Sequence, residues 1–309
     1  MPAEAKPNPE LTIVVPVFNE AGNVPALIAR LTATLEGCVA SFEILFVDDG
    51  SSDGTLQAVR DARARDSRID ALSFSRNFGK EVAIAAGLDH ARGRAVVIID
   101  ADLQHPPETI ATMVAKWREG YENVYGQRVD RYADAPLRRA LTTRFYHLFE
   151  RFGEMSLPQG AGDFRLLDRK AVNALLRMRE RARFTKGLYA WIGFRSIGVP
   201  FEVAERASGH SKFSYRKLTR FALDGLTSFS TTPLRIWTFV GVAVSIFALS
   251  AAIYFIVRTA VLGVDVPGYA SLIVSVTFLA GIQLLSLGVI GEYIGRIFAE
   301  VKGRPLYII

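Results

Sequence analysis

The stretch "AVVIIDADLQHPPE", residues 95–108, decides the fold. It opens on Ala95-Val96-Val97-Ile98-Ile99 and runs directly into Asp100, Asp102 and Gln104 before two prolines. A short β-branched run bounded by turn residues reads as a strand buried on both faces, as in a parallel sheet. Carboxylates do not belong in such an interior unless something offsets their desolvation. Side chains alternate along an extended chain, so Asp100, Asp102 and Gln104 share one side. Three oxygen-bearing side chains converging where a strand ends suit a hard divalent cation.

Outward from this stretch, strand and helix patterns alternate. Strands are expected at 11–17, 42–49, 69–74 and 94–100, with helices at 23–35, 54–66 and 80–91. A fourth helix, "ETIATMVAKWREG", follows Pro106 and Pro107, since proline is tolerated in a first helical turn. Ser51 or Asp53 is the expected cap of the second helix. This alternation predicts a parallel sheet with helices on both faces, which binds ligands beyond the carboxyl ends of its strands. Asp48-Asp49, the Asp100/Asp102 pair and Pro16-Val17-Phe18-Asn19-Glu20 all fall at such ends. Neither G-x-G-x-x-G after the first strand nor G-x-x-x-x-G-K-[ST] is present, which argues against a dinucleotide dehydrogenase or a P-loop ATPase. A bound nucleotide would need its phosphates neutralised by a metal.

The chain has 309 residues, a length that suits one large domain with an appendage, or two domains. A formal charge of +6 is mild; it indicates no nucleic-acid partner and is compatible with phosphorylated substrates or an anionic membrane surface. The single cysteine, Cys38, rules out an internal disulfide. Residues 1–10, "MPAEAKPNPE", read as a flexible lead-in, not a signal peptide. Two uncharged runs, 236–257 and 268–291, are each long enough to cross a hydrocarbon core. The short linker 258–267 makes them a hairpin within residues 234–309. Arg216, Lys217, Arg220 and Arg235 precede it, and Arg296, Lys302 and Arg304 follow. That bias predicts a multi-pass protein with its soluble domain and both termini cytoplasmic. Between them, residues 213–233 place Leu218, Phe221, Ala222, Gly225, Leu226 and Phe229 on one helical face, with Lys217, Arg220 and Asp224 opposite. This pattern predicts an amphipathic helix lying in the headgroup layer.

The motifs "VVPVFNE", "FVDDGSSDGT", "DADLQHPPE", "GDFRLLDRKAV" and "SGHSKFSYRKL", in that order, resemble glycosyltransferase family 2. They are closest to its polyprenyl-phosphate branch, which includes dolichol-phosphate mannose synthases and bacterial undecaprenyl-phosphate sugar transferases. The resemblance spans about Leu11 to Arg304. It implies a GT-A α/β domain over 11–212, Rossmann-like with a mostly parallel sheet, followed by the interfacial helix and two transmembrane helices of the inner membrane. It implies inverting transfer from a nucleotide-sugar, UDP-glucose first, to a polyprenyl phosphate such as undecaprenyl phosphate, with Mg²⁺ or Mn²⁺ as cofactor. GDP-mannose and a UDP-aminoarabinose derivative are the alternative donors, and homo-oligomerisation is left open.

By the same resemblance Pro16, Phe18 and Glu20 line the base and ribose pocket, and Asp49, with Asp48 beside it, reaches the base or ribose. Asp102 and Gln104 hold the metal, and Asp100, next to Ala101, meets the nucleotide or the metal. Arg128 in "YGQRVDR", with Arg206, Ser211 and Lys212 in "ERASGHSK", draws the donor and acceptor phosphates together. Asp163 faces the nucleophile as base or as positioner, with Arg165 its expected structural partner. His210 reads as solvent-facing, His90, His105 and His147 form no zinc-like set, and Arg76 and Lys80 lie near a strand end without an assigned role. A processive synthase is disfavoured, because no Q-x-x-R-W motif is present. A non-catalytic membrane scaffold that binds nucleotide-sugar is the reading from a different class.

Overall fold

The computed structural model describes residues 8–128, 160–181, 183–202, 232–262 and 268–309. Arg206, Ser211, Lys212, His147, His210 and nearly all of the segment 213–233 lie outside the described residues. The chain divides into two compact units, Met1–Gly225 together with Arg304–Ile309, and Leu226–Gly303.

In the first unit β1 (Leu11–Val17), β2 (Phe42–Asp48), β3 (Ile69–Ser73) and β4 (Ala95–Ile98) alternate with α1 (Val24–Glu36), α2 (Thr55–Arg65), α3 (Lys80–His90) and α4 (Thr109–Arg118). Every residue of β1, β2 and β4 is buried, as a strand covered on both faces requires. The helix α1 turns Val24, Leu27, Leu31 and Leu35 into the core at helical spacing. On α3, a Cβ at Gly87 would meet Val14 Cγ1 at 2.2 Å, so the missing side chain is what lets this helix lie so close to β1. The helix α2 starts after Gly54 with no side-chain cap bond. Ser51 Oγ accepts from Asn19 N at 2.9 Å and Asp53 Oδ2 from Ala21 N at 3.3 Å. These two residues therefore tie the β2–α2 loop to the end of β1, and Asp53 Oδ1 also accepts from Thr55 N at 3.0 Å at the start of α2, the kind of bond expected of a cap, whereas Ser51 is spent on Asn19.

The chain continues through β5 (Asn123–Arg128), β6 (Ala161–Asp168), α5 (Arg169–Arg177), α6 (Thr185–Trp191) and β7 (Ser196–Phe201). The described strands form one sheet in the order β3-β2-β1-β4-β6-β5-β7. All pairings are parallel except those of β6, which runs against both β4 and β5. The expected GT-A-like, mostly parallel sheet is present. Asp168 closes β6 and caps α5, accepting from Lys170 N at 2.9 Å, while Trp117 Nε1 donates to its other oxygen at 2.8 Å.

The second unit contains α7 (Thr232–Leu262) and α8 (Tyr269–Val301). Both outrun the expected 236–257 and 268–291; α8 continues through Gly291 and Gly295 to Val301, and no proline interrupts it. Among the described residues one stretch, Phe278–Val301, is long and apolar enough to cross a membrane, and Trp237–Ala251 is a shorter apolar helix.

Candidate active site

At the carboxyl ends of β1, β2 and β4 opens a cleft of about 540 Å³. Pro16, Phe18 and Glu20 enter it from β1, Asp49 from β2, and Asp100, Ala101, Asp102 and Gln104 from β4. Asn77, Gly79 and Lys80 close it from the loop ahead of α3. Eight of the expected site residues thus meet in one place. Parallel pairing in register brings them together, since β1 is flanked by β2 and β4 and all three strands end at the same edge.

Two turns at this edge use backbone that ordinary residues avoid. Asn19 has φ 57° and Leu103 φ 61°, left-handed values that persist where surrounding structure enforces them. Asn19 is locked by the β2–α2 loop, with its Oδ1 accepting from Ser52 N at 2.9 Å. Leu103 sits between Asp102 and Gln104, where Asp102 Oδ1 accepts from Gln104 N at 3.1 Å. Such a turn folds the chain back sharply and keeps both side chains on the cleft wall.

Asp48 and Asp49 divide their tasks. Asp48 accepts from Ser51 N at 3.1 Å and from Ser73 Oγ at 3.0 Å, and it is not among the cleft-lining residues. Asp49 lines the cleft and accepts from Phe78 N at 2.6 Å and Gly79 N at 2.9 Å. Burial raises its carboxyl above the ordinary range against the pull of these two amides. Arg128 ends β5, with its Nε buried and without a partner among the described residues; it is not among the described residues that line this cleft.

Sequence reasoning left Lys80 unassigned, and it is the residue on which the site converges. Its Nζ stands 2.6 Å from Asp100 Oδ1 and 3.0 Å from Asp163 Oδ2. The β4–β6 register explains the meeting. Ile98 pairs with Arg165, so two residues further along the antiparallel pair Asp163 stands opposite Asp100, and Lys80 bridges them. Burial works to lower the Lys80 ammonium, but the two carboxylates override it and lift it. Burial would raise Asp163, but the Lys80 charge, with Lys186 and Arg165 behind it, holds this carboxyl well below the usual range. The expected Asp163–Arg165 partnership is corrected. Arg165 donates instead to Gly162 O at 2.7 Å and Asn123 Oδ1 at 3.3 Å, with its guanidinium 3.6 Å above the Tyr189 ring.

Two further residues frame this ion cluster. His105 stacks on Phe164 at 5.0 Å and stands 3.7 Å from Asp100; burial lowers its pKa and favours the neutral ring. Glu81 follows Lys80 in the first turn of α3, with Oε2 buried and unpartnered. Burial, then the nearby Asp163 charge, pushes its carboxyl up to about 7.

Among the described residues no group of three or more His, Cys, Asp or Glu side chains is placed to hold a metal by itself. Asp100, Asp102 and Gln104 bring two carboxylates and an amide to the cleft wall, with Asp100 also paired to Lys80 through both oxygens. That set fits a hard cation that keeps waters and shares its coordination with substrate phosphates.

A mostly parallel sheet with one reversed strand, opening its acidic carboxyl edge on a cleft, is a GT-A-like α/β fold. The pattern of "Glycosyl transferase family 2" matches residues 12–176, and that of "GtrB C-terminal hairpin" matches 232–297. The chain belongs to glycosyltransferase family 2. It is 49% identical over 300 residues to an uncharacterised glycosyltransferase of Synechocystis sp., covering 97% of this chain and 94% of the relative. It is 43% identical to a prophage-derived bactoprenol glucosyl transferase of Shigella flexneri, covering 97% of each. In fold it is similar to a mannosyltransferase of Pyrobaculum calidifontis solved with GDP-Man and Mn²⁺, with TM-score 0.50, 20% identity, and coverage of 96% and 87%.

Proposed function

We propose that this chain transfers a glucosyl unit from UDP-glucose to a polyprenyl phosphate such as undecaprenyl phosphate, at the cytoplasmic face of the inner membrane. The observation that carries this reading is the meeting of Asp100 and Asp163 on Lys80, with Lys80 and Asp100 lining the acidic cleft. It sets a donor side, built from β1, β2 and β4, against an acceptor side that begins at β6. The bactoprenol glucosyl transferases that align with nearly the whole chain support the lipid acceptor and the glucosyl donor.

The chemistry joins two anions. An oxygen of the lipid phosphate attacks the anomeric carbon, the bond from that carbon to the diphosphate breaks, and the nucleoside diphosphate leaves with the electron pair. Attack from the face opposite the leaving group inverts the anomeric centre. A phosphate monoester is mostly dianionic at pH 7 and needs no strong base. Asp163, kept ionised by Lys80, is correspondingly weak as a proton acceptor and serves to position the acceptor. Arg128, Arg206, Ser211 and Lys212 supply the donors that hold the two phosphates. A divalent cation held by Asp102 and Gln104, with Asp100, would supply charge neutralisation for the departing diphosphate.

Transfer of label from UDP-glucose or GDP-mannose to undecaprenyl phosphate tests the reading directly. UDP-glucose should give a lipid-linked product in Mg²⁺ or Mn²⁺ and none in EDTA, and Asp102→Ala should lose at least about 100-fold in rate. Full activity in EDTA removes the metal from the reading. Tight donor binding without transfer to lipid would leave a scaffold in place of an enzyme.

A further inference from the structure

The segment after α8 returns to the first unit and lies against the loop that closes the cleft. The α8 C-cap is Lys302, and Gly303 takes φ 63°, the left-handed glycine that ends many helices. Beyond it, Ile308 O accepts from Ser75 N at 3.0 Å. The Tyr307 ring stacks on Phe74 at 5.2 Å and 19°, and its hydroxyl donates to Asp89 Oδ2 at 3.0 Å, where Arg179 also pairs at 2.9 Å. Arg304 O accepts from Arg181. Burial, then the Asp89 bond, pushes the Tyr307 hydroxyl up to about 12, so it remains a donor throughout the physiological range.

These contacts continue inward. Phe74 is buried and meets Phe78 edge-on at 5.6 Å and 88°. Phe78 N and Gly79 N hold the Asp49 carboxylate, and Gly79 and Lys80 line the cleft. On the other side of the loop, Gly50 has φ 70°, and a Cβ there would meet the Arg76 carbonyl carbon at 2.6 Å. The loop is thus gripped from below by Asp49 and Gly50 and from outside by Tyr307 and Ile308. An exposed loop closed by a few backbone bonds opens locally at small cost, so an outer grip sets how well its inner amides are organised.

We propose that Arg304–Ile309 is a positioning clasp for the donor loop Ser75–Gly79, acting through Phe74 and Phe78 on the amides that hold Asp49. The proposal rests on the reading of the cleft as the nucleotide site. Two residues, Lys302 and Gly303, separate the clasp from α8, so the element that follows the hairpin in sequence also organises the donor loop.

Hydrogen exchange of the detergent-solubilised full chain tests it, with Tyr307→Ala, Tyr307→Phe and a chain stopped after Gly303 beside the wild type. Exchange at Phe78 and Gly79 should rise at least about tenfold in Tyr307→Ala and in the shortened chain, while amides of β1 and β4 keep their rates. Tyr307→Phe, which keeps the ring and loses the bond to Asp89, should fall between. Affinity for UDP with Mn²⁺ should weaken at least about fivefold in step with the exchange. Wild-type exchange at Phe78 and Gly79 in both disrupted variants overturns the clasp, and so does an equal rise across β1 and β4. If the wild type binds no UDP, the nucleotide reading falls, and the exchange rates still decide the clasp.

Discussion

Between Asp100 and Asp163 the Lys80 ammonium does what a bound cation would otherwise do, and it is covalently fixed. Two carboxylates brought opposite each other at a sheet edge repel, and one would protonate without a positive partner. Lys80→Met should therefore cost transfer at least about 100-fold in rate, the scale set by loss of one preorganised charged group. Lys80→Arg should recover part of it, because the charge is kept while the point-like geometry is lost. Activity of Lys80→Met within about threefold of wild type, measured with UDP-glucose and undecaprenyl phosphate, would remove Lys80 from the reaction. The sequence announces Asp100, Asp102 and Gln104 through strand alternation, but it is silent on Lys80. The lysine that ends "SRNFGK" and begins a helix looks like any solvated first-turn residue. Its partners lie 20 and 83 positions further on, and only the antiparallel register of β6 brings the second one to it.

At the scale of elements, the first turn of α3 sets two electrostatic effects against each other at Glu81. An anion at a helix N-terminus gains roughly 0.3–1 kcal/mol from the helix dipole. Burial, reinforced by Asp163, outweighs that gain and pushes the carboxyl from an ordinary value of 4.5 up to about 7. Below pH 4.5 both folded and unfolded chains hold this proton, and Glu81 has no effect. Between 4.5 and 7 the unfolded chain releases it first, so stability falls as pH rises, reaching a constant penalty above 7. Glu81→Gln should accordingly melt several degrees above wild type at pH 8.5 and level with it at pH 4.5, by thermal unfolding in detergent. An equal difference at both pH values would rule out this titration. The helices and the four parallel strands of the first half are legible from their periodicity. The edge strand β7, "SIGVPF", is not, because its glycine and proline mask the pattern. Nor does β5, "NVYGQR", carry an apolar run. The direction of β6 is invisible, since "AGDFRLLD" reads the same whichever way its neighbours run.

For the whole molecule, the lengths of α7 and α8 bear on how they meet a bilayer. At about 1.5 Å per residue, their 31 and 33 residues are each longer than a hydrocarbon core of about 30 Å. Phe278–Val301 meets the length and composition for a span, and the basic residues outside the pair favour a hairpin with both ends cytoplasmic. A reporter fused after Ile309 should read the cytoplasmic side, and one inserted between residues 262 and 268 the opposite side. Two reporters on one side would mean that α8, which lies between them, does not cross.

The reversed strand also has a consequence for inheritance. Every residue lining the described cleft falls between Pro16 and Gln104, an unbroken third of the gene, whereas β6 offers its beginning, not its end, to the reactive edge. The coding sequence therefore has a natural crossover point between Gln104 and Asn123. Recombination there would separate the cleft lining, with Lys80 and Asp100, from Asp163 on β6. A fragment exchanged there would set a new partner for Lys80 against an unchanged cleft lining.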